Sequence, residues 1–566
     1  MKILLITVSL FITTQNNFRN LDSKTDLIIV GGGLTGLISA YEFYIKSNGL
    51  LNIILIDKLP NLGGNSNKAA SGINLLETEP QKINNIIDNY SIFYSDIMKS
   101  GKNINNPSLV NTLITGTKTL YDYLKNNFDI NITLLYQLNG HSIPRTHRPT
   151  DSNYIIGSYL ISKISEKVKT CNNIRILYNS TVTEILKNET TNEIYGLKYN
   201  TSEQQSILYC KGIILASGGY GHDFSEDGLL NEFAPNYIKY PTTNGEQSIG
   251  SGIQLGRKIG ADLVDMNYIQ IHPTGFVNPK NRFEKKKYLA PELLRGVGGI
   301  LINENGERFC NELGSNDYVA QQIIQNCKKQ DTKEIEQYES YLLLNEEMAN
   351  EFGNNYFNYY KNIQGFITEH SNFKEMANNL NIDYNNLEKT IISYNNAFDN
   401  NFDEFNKTIF PYKFDLNKKI YSMIITPSIH YTMGGLKINN KGEILNSSNE
   451  IIKGLYGAGE VTGGVHGANR LGGNSLSDCG VYGIISANSA LDYVLSKSKS
   501  ENIIIIKKGN SGDISSGAIA GIIIGGLALL IIIILAIIYC ICKRKKVIPA
   551  HNISVSNSPI INNNIK

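Results

Sequence analysis

Asp26-Leu27-Ile28-Ile29-Val30-Gly31-Gly32-Gly33-Leu34-Thr35-Gly36 decides the fold of this chain. Its first half is a short aliphatic run, as expected of a strand buried on both faces of a parallel sheet. Its second half is a GxGxxG turn leading into a helix from Leu37 to about Lys46. Asn52-Ile53-Ile54-Leu55-Ile56-Asp57 is the next strand, and it ends on an acid 21 residues after Gly36. A GxGxxG alone is weak evidence. Strand, glycine turn, helix, strand and terminal Asp in order identify a dinucleotide-binding βαβ unit. The glycines let a pyrophosphate reach the helix N-terminus, and Asp57 takes the ribose hydroxyls.

Outward from this unit, Thr181–Ile185 and Gly212–Gly219 read as edge and core elements of the same sheet. From about 260 to 425 the pattern changes to helical periodicity rich in Asn, Lys, Glu and Tyr, the mark of an inserted domain. Sheet-like glycine motifs resume at Tyr431-Thr432-Met433-Gly434-Gly435. Gly457-Ala458-Gly459-Glu460 and Val465-His466-Gly467-Ala468-Asn469-Arg470-Leu471-Gly472-Gly473-Asn474-Ser475 follow. This last segment sets a fixed guanidinium beside two glycine turns. An arginine fork next to closely approaching backbone suits a carboxylate-bearing substrate lying against a planar cofactor.

The whole chain of 566 residues is too long for one small core and fits two large domains with appendages. Lys+Arg 53 against Asp+Glu 51, with no basic stripe between aromatics, argues against a nucleic-acid partner. Ile3 to Ile12 is an apolar run too short to span a bilayer and reads as a secretory signal within 1–20. Gly517 to Cys542 carries no charge and is followed by Lys543-Arg544-Lys545-Lys546. At about 1.5 Å per residue such a run crosses the roughly 30 Å apolar layer, and the basic tetrad places the tail in the cytosol. The expectation is a single-pass type I protein of a secretory-route membrane, ER or cell surface, with its body lumenal or extracellular. Seven cysteines contain no CxxC or CxxCH, so neither a metal site nor an attached c-type haem is expected. Cys540 and Cys542 stand at the membrane edge, where acylation and an ordinary membrane-face role are both open. Asn131-Ile132-Thr133 and Asn179-Ser180-Thr181 are glycosylation sequons.

Several motifs in order then give a resemblance. GGGLTG, the GGNSNKAASGIN block at 63–74, IHPTG, PELLRGVGGILINENGERF, IHYTMGG and LYGAGEVTGGVHGANRLGGNS are similar to those of the soluble fumarate reductases. That family shares its flavoprotein core with succinate dehydrogenase and flavocytochrome c. The similarity runs from about Thr25 to about Tyr493. It implies an α/β architecture: a Rossmann-like FAD-binding domain in two parts, 25–260 and 426–495, with an inserted α+β clamp at 261–425. A stem at 496–516, a transmembrane helix at 517–542 and a tail at 543–566 complete the expected organisation.

The resemblance further implies FAD held by Gly31, Gly33, Gly36, Asp57, Gly64, Asn65, Ser66, Gly72, Val182, Gly218, Glu460, Asn474 and Ser475. His272, His430 and Arg470 match the family's positions for the carboxylates of a small dicarboxylate substrate. Glu292 and Arg295 match members of a proton-delivery chain. Reduced flavin in such enzymes passes hydride to one alkene carbon, and a protein group protonates the other. Protonation of the two histidines would strengthen their grip on the dianion. No haem or iron–sulfur ligand set is present, so the electron donor is a reduced flavin, a nicotinamide or a protein.

The chain departs from the family at two places. Asn65 stands where membrane-complex relatives carry a histidine bonded to FAD, so noncovalent FAD is expected. The family's general-acid arginine lies eight residues beyond the arginine of GERF, where this chain has Asn316. Three readings stay open. Water relays a proton from Arg295 and Glu292, the substrate is another unsaturated or oxidisable acid, or the domain is a catalytically weakened, membrane-tethered FAD- and dicarboxylate-binding protein. Arg308, in the GERF turn itself, fits a structural salt bridge better than an acid's role.

Overall fold

The computed structural model describes residues 23–509 except Ser152. The expected leader, transmembrane helix and tail, with Cys540 and Cys542, lie outside these residues. Among the described residues no helix is long and apolar enough to cross a membrane.

Five four- to seven-residue aliphatic runs build the parallel centre of a nine-stranded sheet. They are β1 (Leu27–Val30), β2 (Ile53–Ile56), β3 (Ile174–Leu177), β4 (Gly212–Leu215) and β5 (Ile451–Gly457). Side chains of β1, β2 and β4 are buried throughout, which is why these runs show no polar alternation. Their spatial order is β3-β2-β1-β4-β5, with every pair parallel. The order therefore reverses between β1 and β4, and ligands of such sheets bind beyond the strand ends at this reversal. Thr181–Asn188 closes one edge of the sheet through an antiparallel partner, Glu193–Asn200, as the sequence suggests.

Helix α1 (Leu34–Lys46) begins three residues before the expected Leu37. Two glycines allow close approaches around its start. Gly31 has φ +114, and a Cβ there would lie 2.3 Å from the Ala216 carbonyl oxygen. A Cβ on Gly36 would lie 1.9 Å from the Gly31 carbonyl oxygen. Gly36 thus lets the helix pack on the strand.

The middle of the chain is built on a sheet rather than on helices alone. A seven-stranded sheet runs Tyr288–Leu289, Ile269–Phe276, Ile420–Thr432, Glu336–Leu344, Ile300–Ile302, with antiparallel pairing. Its own core gathers Phe276, Leu301, Leu343, Met376, Ile391 and Ile425. Helices such as Asn316–Asn326 and Tyr384–Asn400 supply the periodicity visible in the sequence. Ile420–Thr432 is buried on both faces and so lacks the alternation that marks a strand. The closing helix, Asn474–Gly509, runs into the stretch read as a stem and includes Ile503–Ile506.

Candidate active site

A cleft with about 1680 Å³ of empty space, its solvent-open mouth included, lies at the carboxyl ends of β1 and β4. Gly31, Gly33, Asp57, Gly64, Asn65, Ser66, Gly72, Val182, Gly218, Glu460 and Ser475 line it. His272, Glu292, His430 and Arg470 line the same cavity. The two sets of residues picked from separate motifs therefore share one continuous space.

At the nucleotide end, the first turn of α1 opens on the cavity, where a helix N-terminus favours an anion, and the Leu34 N–H donates to Ser66 Oγ at 3.4 Å. Asp57 is held by Gly32 N–H on Oδ2 (2.6 Å) and Leu59 N–H on Oδ1 (2.8 Å). Gly64 (φ +51) and Gly218 (φ +75) have open space where a Cβ would stand. Bare backbone at both points is a cradle for a flat group brought close, and the residues fit an FAD. Gly36 and Asn474, also expected to touch the cofactor, do not line the cavity. Gly36 serves the helix–strand contact. Asn474 Oδ1 accepts from Asn74 Nδ2 (2.6 Å), beneath the glycine turn of Arg470.

Asn65 is fully engaged. Its amide nitrogen donates to Asn244 Oδ1 and Ser248 Oγ, both at 2.8 Å. Its oxygen accepts from Gly245 N–H, Lys68 Nζ and Gln247 Nε2. An amide nitrogen, its lone pair delocalised into the carbonyl, cannot bond a flavin as an imidazole can. Burial also brings Lys68, on the cavity wall, down to about 8. Half-buried Glu460 is pushed up to about 7 by desolvation, with Oε1 accepting from the Thr432 N–H and hydroxyl.

At the other end, His272 and His430 sit on the paired strands Ile269–Phe276 and Ile420–Thr432, ring centroids 5.0 Å apart. A register shift follows His272 in this pairing. His272 Nδ1 accepts from Thr274 N–H (3.2 Å), which leaves the proton on Nε2. His430 Nδ1 shares a 2.8 Å hydrogen bond with Thr243 Oγ1. Burial, then His430, Arg295 and Arg470, hold His272 well below its ordinary range. Burial, then Arg470 and Lys68, bring His430 down to about 3. Both shifts favour the neutral rings over protonated ones. Arg470 carries the fixed charge. It stacks on Tyr431 (4.8 Å to the ring centre), and its Nη1 and Nη2 donate to the Leu471 carbonyl and to Gln270 Oε1, each at 3.0 Å. Its Nε has no partner.

The proton-delivery group is arranged around Asn316. Arg295 Nη2 donates to Asn316 Oδ1 (2.9 Å) and Nη1 to the Glu312 carbonyl (2.7 Å). Neither Arg295 nor Asn316 lines the cavity; Glu292 does. Burial raises the Glu292 carboxyl, against Arg295, Arg470 and hydrogen bonding from the Asn139 N–H and the Asn316 side chain. Arg308 is structural, as the sequence favours. It is paired with Glu312 (2.9 Å) and Asp403 (2.7 Å), and Lys407 joins Glu312 at 3.0 Å.

Two supports escaped the sequence. Gln270 aims the Arg470 fork and donates through Nε2 to Asn469 Oδ1 and the Arg470 carbonyl, both at 2.7 Å. A lone Gln in a strand carries no motif signal. Arg145 is fully buried on Asp88 and Asp96, and His141 joins it to the Gly472 carbonyl. Here the signal was present, in four charged or imidazole side chains among apolar runs, but their pairing depends on the fold.

A family model described as an FAD binding domain matches residues 26–476. The chain is 35% identical over 496 residues to the fumarate reductase of Schizosaccharomyces pombe, covering 86% of this chain and 93% of that one. It is 36% identical over 480 residues to fumarate reductase 1 of Saccharomyces cerevisiae, covering 82% and 98%. Among solved structures it is similar to the open conformation of a flavocytochrome c3 fumarate reductase, at 26% identity, TM-score 0.67 and coverage of 85% and 81%.

Proposed function

The chain belongs to the fumarate reductase family of FAD-dependent oxidoreductases acting on CH–CH groups, and from that premise we propose that it reduces fumarate or a related unsaturated carboxylate to the saturated acid. One observation carries this reading: Arg470, His272, His430 and Glu292 line the same cavity as the glycines that cradle FAD. Reduced FAD supplies the hydride. Arg470 offers an always-charged fork for one carboxylate. The neutral histidines donate hydrogen bonds without adding charge. Clamping both carboxylates lets binding energy twist the alkene toward the transition state.

FAD is held without a covalent bond on this reading, because position 65 is an amide with no nucleophilic nitrogen, engaged with Asn244 and Ser248. Acid precipitation should leave all the flavin in the supernatant. The charge-free run 517–542 and the basic tetrad after it support a membrane-tethered protein on the secretory route.

The reaction is tested by photoreducing the FAD-loaded protein without oxygen and adding fumarate, urocanate or other acrylate-type acids. Rapid flavin reoxidation is the expected result. No reoxidation by any of them, with succinate still perturbing flavin absorbance, favours the binding protein without turnover.

A further inference from the structure

We propose that Glu292 is itself the acid that protonates the substrate carbon in this chain, a step that rests on the reductase reading above. The argument begins from what position 316 does. Asn316 turns its oxygen to Arg295 and stays off the cavity wall. An amide has no proton to give, and this one is committed behind the site.

The other candidates are removed by their surroundings. Arg308 is shut into a buried cluster with Glu312, Asp403 and Lys407. Arg295 is also off the wall, bound to a carbonyl and to Asn316. Arg470 is occupied with Gln270 and the Leu471 carbonyl, and its part is to grip. His272 and His430 are neutral, and a neutral imidazole is too weak an acid for the task. Glu460 accepts two bonds from Thr432 and packs against Gly219, beside the end of β4 on the cofactor side.

Glu292 alone among these is a carboxyl at the substrate end. It lines the cavity, is buried to 4% exposure, and its Oε1 has no hydrogen-bond partner. It lies over Gly472, two residues from Arg470: a Cβ on Gly472 would stand 2.8 Å from Oε2. The acid is thus seated beside the turn that carries the substrate fork. Burial, acting against Arg295 and Arg470, raises its carboxyl. A carboxyl so raised keeps its proton to higher pH than an exposed one and can act as an acid.

The step balances as follows. Reduced FAD gives hydride to one alkene carbon and is oxidised. The π pair of the C=C takes a proton from a Glu292 oxygen and forms the second C–H bond. Glu292 is left as carboxylate and regains a proton from solvent between turnovers.

The test uses FAD-loaded wild type, Glu292→Gln and Glu292→Asp. Three readouts are followed against pH: reoxidation of the reduced flavin by fumarate, succinate binding to the oxidised flavin, and the protonated-carboxyl band in infrared difference spectra. Wild type should slow on a single ionisation as pH rises, and the carboxyl band should fade over the same range. Glu292→Gln should lose that band, slow reoxidation by about 10²–10⁴-fold and bind succinate as before. Glu292→Asp should keep the band and the alkaline limb at a lower rate. The proposal is overturned if Glu292→Gln turns over like wild type or keeps the alkaline limb. It is also overturned if succinate binding falls as much as turnover does. Wild type that no unsaturated carboxylate reoxidises would instead overturn the underlying reductase reading.

Discussion

Replacing Gln270 with Met tests whether the substrate fork is aimed by its neighbours. Gln270 is 2% exposed and makes three bonds: it accepts from Arg470 Nη2 at 3.0 Å, and it donates to Asn469 Oδ1 and the Arg470 carbonyl at 2.7 Å. Met keeps the length and volume but supplies none of these. A hydrogen bond to a charged group contributes roughly 1.5–3 kcal/mol and a neutral one about 0.5–1.5, so Gln270→Met should cost roughly 2.5–6 kcal/mol of stability. The folded state survives only if this region's margin exceeds that, and domains carry about 5–15 kcal/mol. The guanidinium keeps its stack on Tyr431 and its bond to Leu471 but loses one of two anchors. Succinate should then bind about 10- to 30-fold more weakly, since each 1.4 kcal/mol is tenfold. Gln270→Glu separates aim from charge. It keeps an acceptor for Nη2, so stability falls less than in the Met variant. Its carboxylate competes for the fork, so succinate affinity falls more. Thermal melting and succinate titration of flavin absorbance measure the two effects. If Gln270→Met binds succinate like wild type, the idea that Gln270 aims Arg470 is wrong.

Three other expectations follow from the same geometry. Gly218→Val places a branched side chain at φ +75 on the cavity wall, so the flavin-to-protein absorbance ratio after dialysis should fall at least about tenfold. Gly260→Ala, at φ +94 with open space and off the cavity wall, should cost about 1 kcal/mol and leave that ratio unchanged. His272, His430, His141 and His147 all have folded pKa values below their usual 6.5, so the unfolded chain takes up their protons first. Their stability contribution is complete above about pH 6.5 and shrinks below it, by about 1.4 kcal/mol per pH unit for each ring. The melting temperature should drop from pH 7 to 5, and His430→Asn should flatten that slope; an unchanged slope would refute it. Asn316→Arg puts a guanidinium beside Arg295, which favours the Glu292 carboxylate and offers a donor that never titrates near neutrality. The alkaline limb of flavin reoxidation should then disappear, and its persistence would show that position 316 does not reach the proton path.

The parallel centre was legible because its chemistry is local. Leu27–Val30, Ile53–Ile56 and Gly212–Leu215 are buried on both faces, and uninterrupted aliphatic residues express that directly. The glycines of the first turn were legible too, but their division of labour was not. Gly31 and Gly33 face the cavity, whereas Gly36 meets the backbone of β1, and only three-dimensional packing separates the two roles. In the middle of the chain the residue pattern displays the helices, which are amphipathic and conspicuous, more than the strands: Ile420–Thr432 is buried on both sides and interrupted by Ser, Thr and Pro. Site residues carried by motifs were found. Those that act by holding another residue, such as Gln270 on Arg470 or Asn74 on Asn474, had no spacing to announce them.

The histidines show why motif identity and ionisation state are separate questions. Two rings 5.0 Å apart and beside Arg470 could both be charged only at electrostatic cost. The fixed charge facing the substrate end therefore rests on Arg470, with Arg295 behind. On the reductase reading a dianion enters this field next to Glu292. Its two negative charges disfavour the Glu292 carboxylate, so substrate binding and protonation of that acid reinforce each other. The coupling is reciprocal: what raises the proton affinity of Glu292 when substrate is bound raises substrate affinity when Glu292 is protonated. A second arginine at position 316 would oppose that coupling by stabilising the carboxylate, whereas the amide leaves it in place. Asn316 is in this sense consistent with a carboxylic acid as donor, just as an arginine there is consistent with a guanidinium.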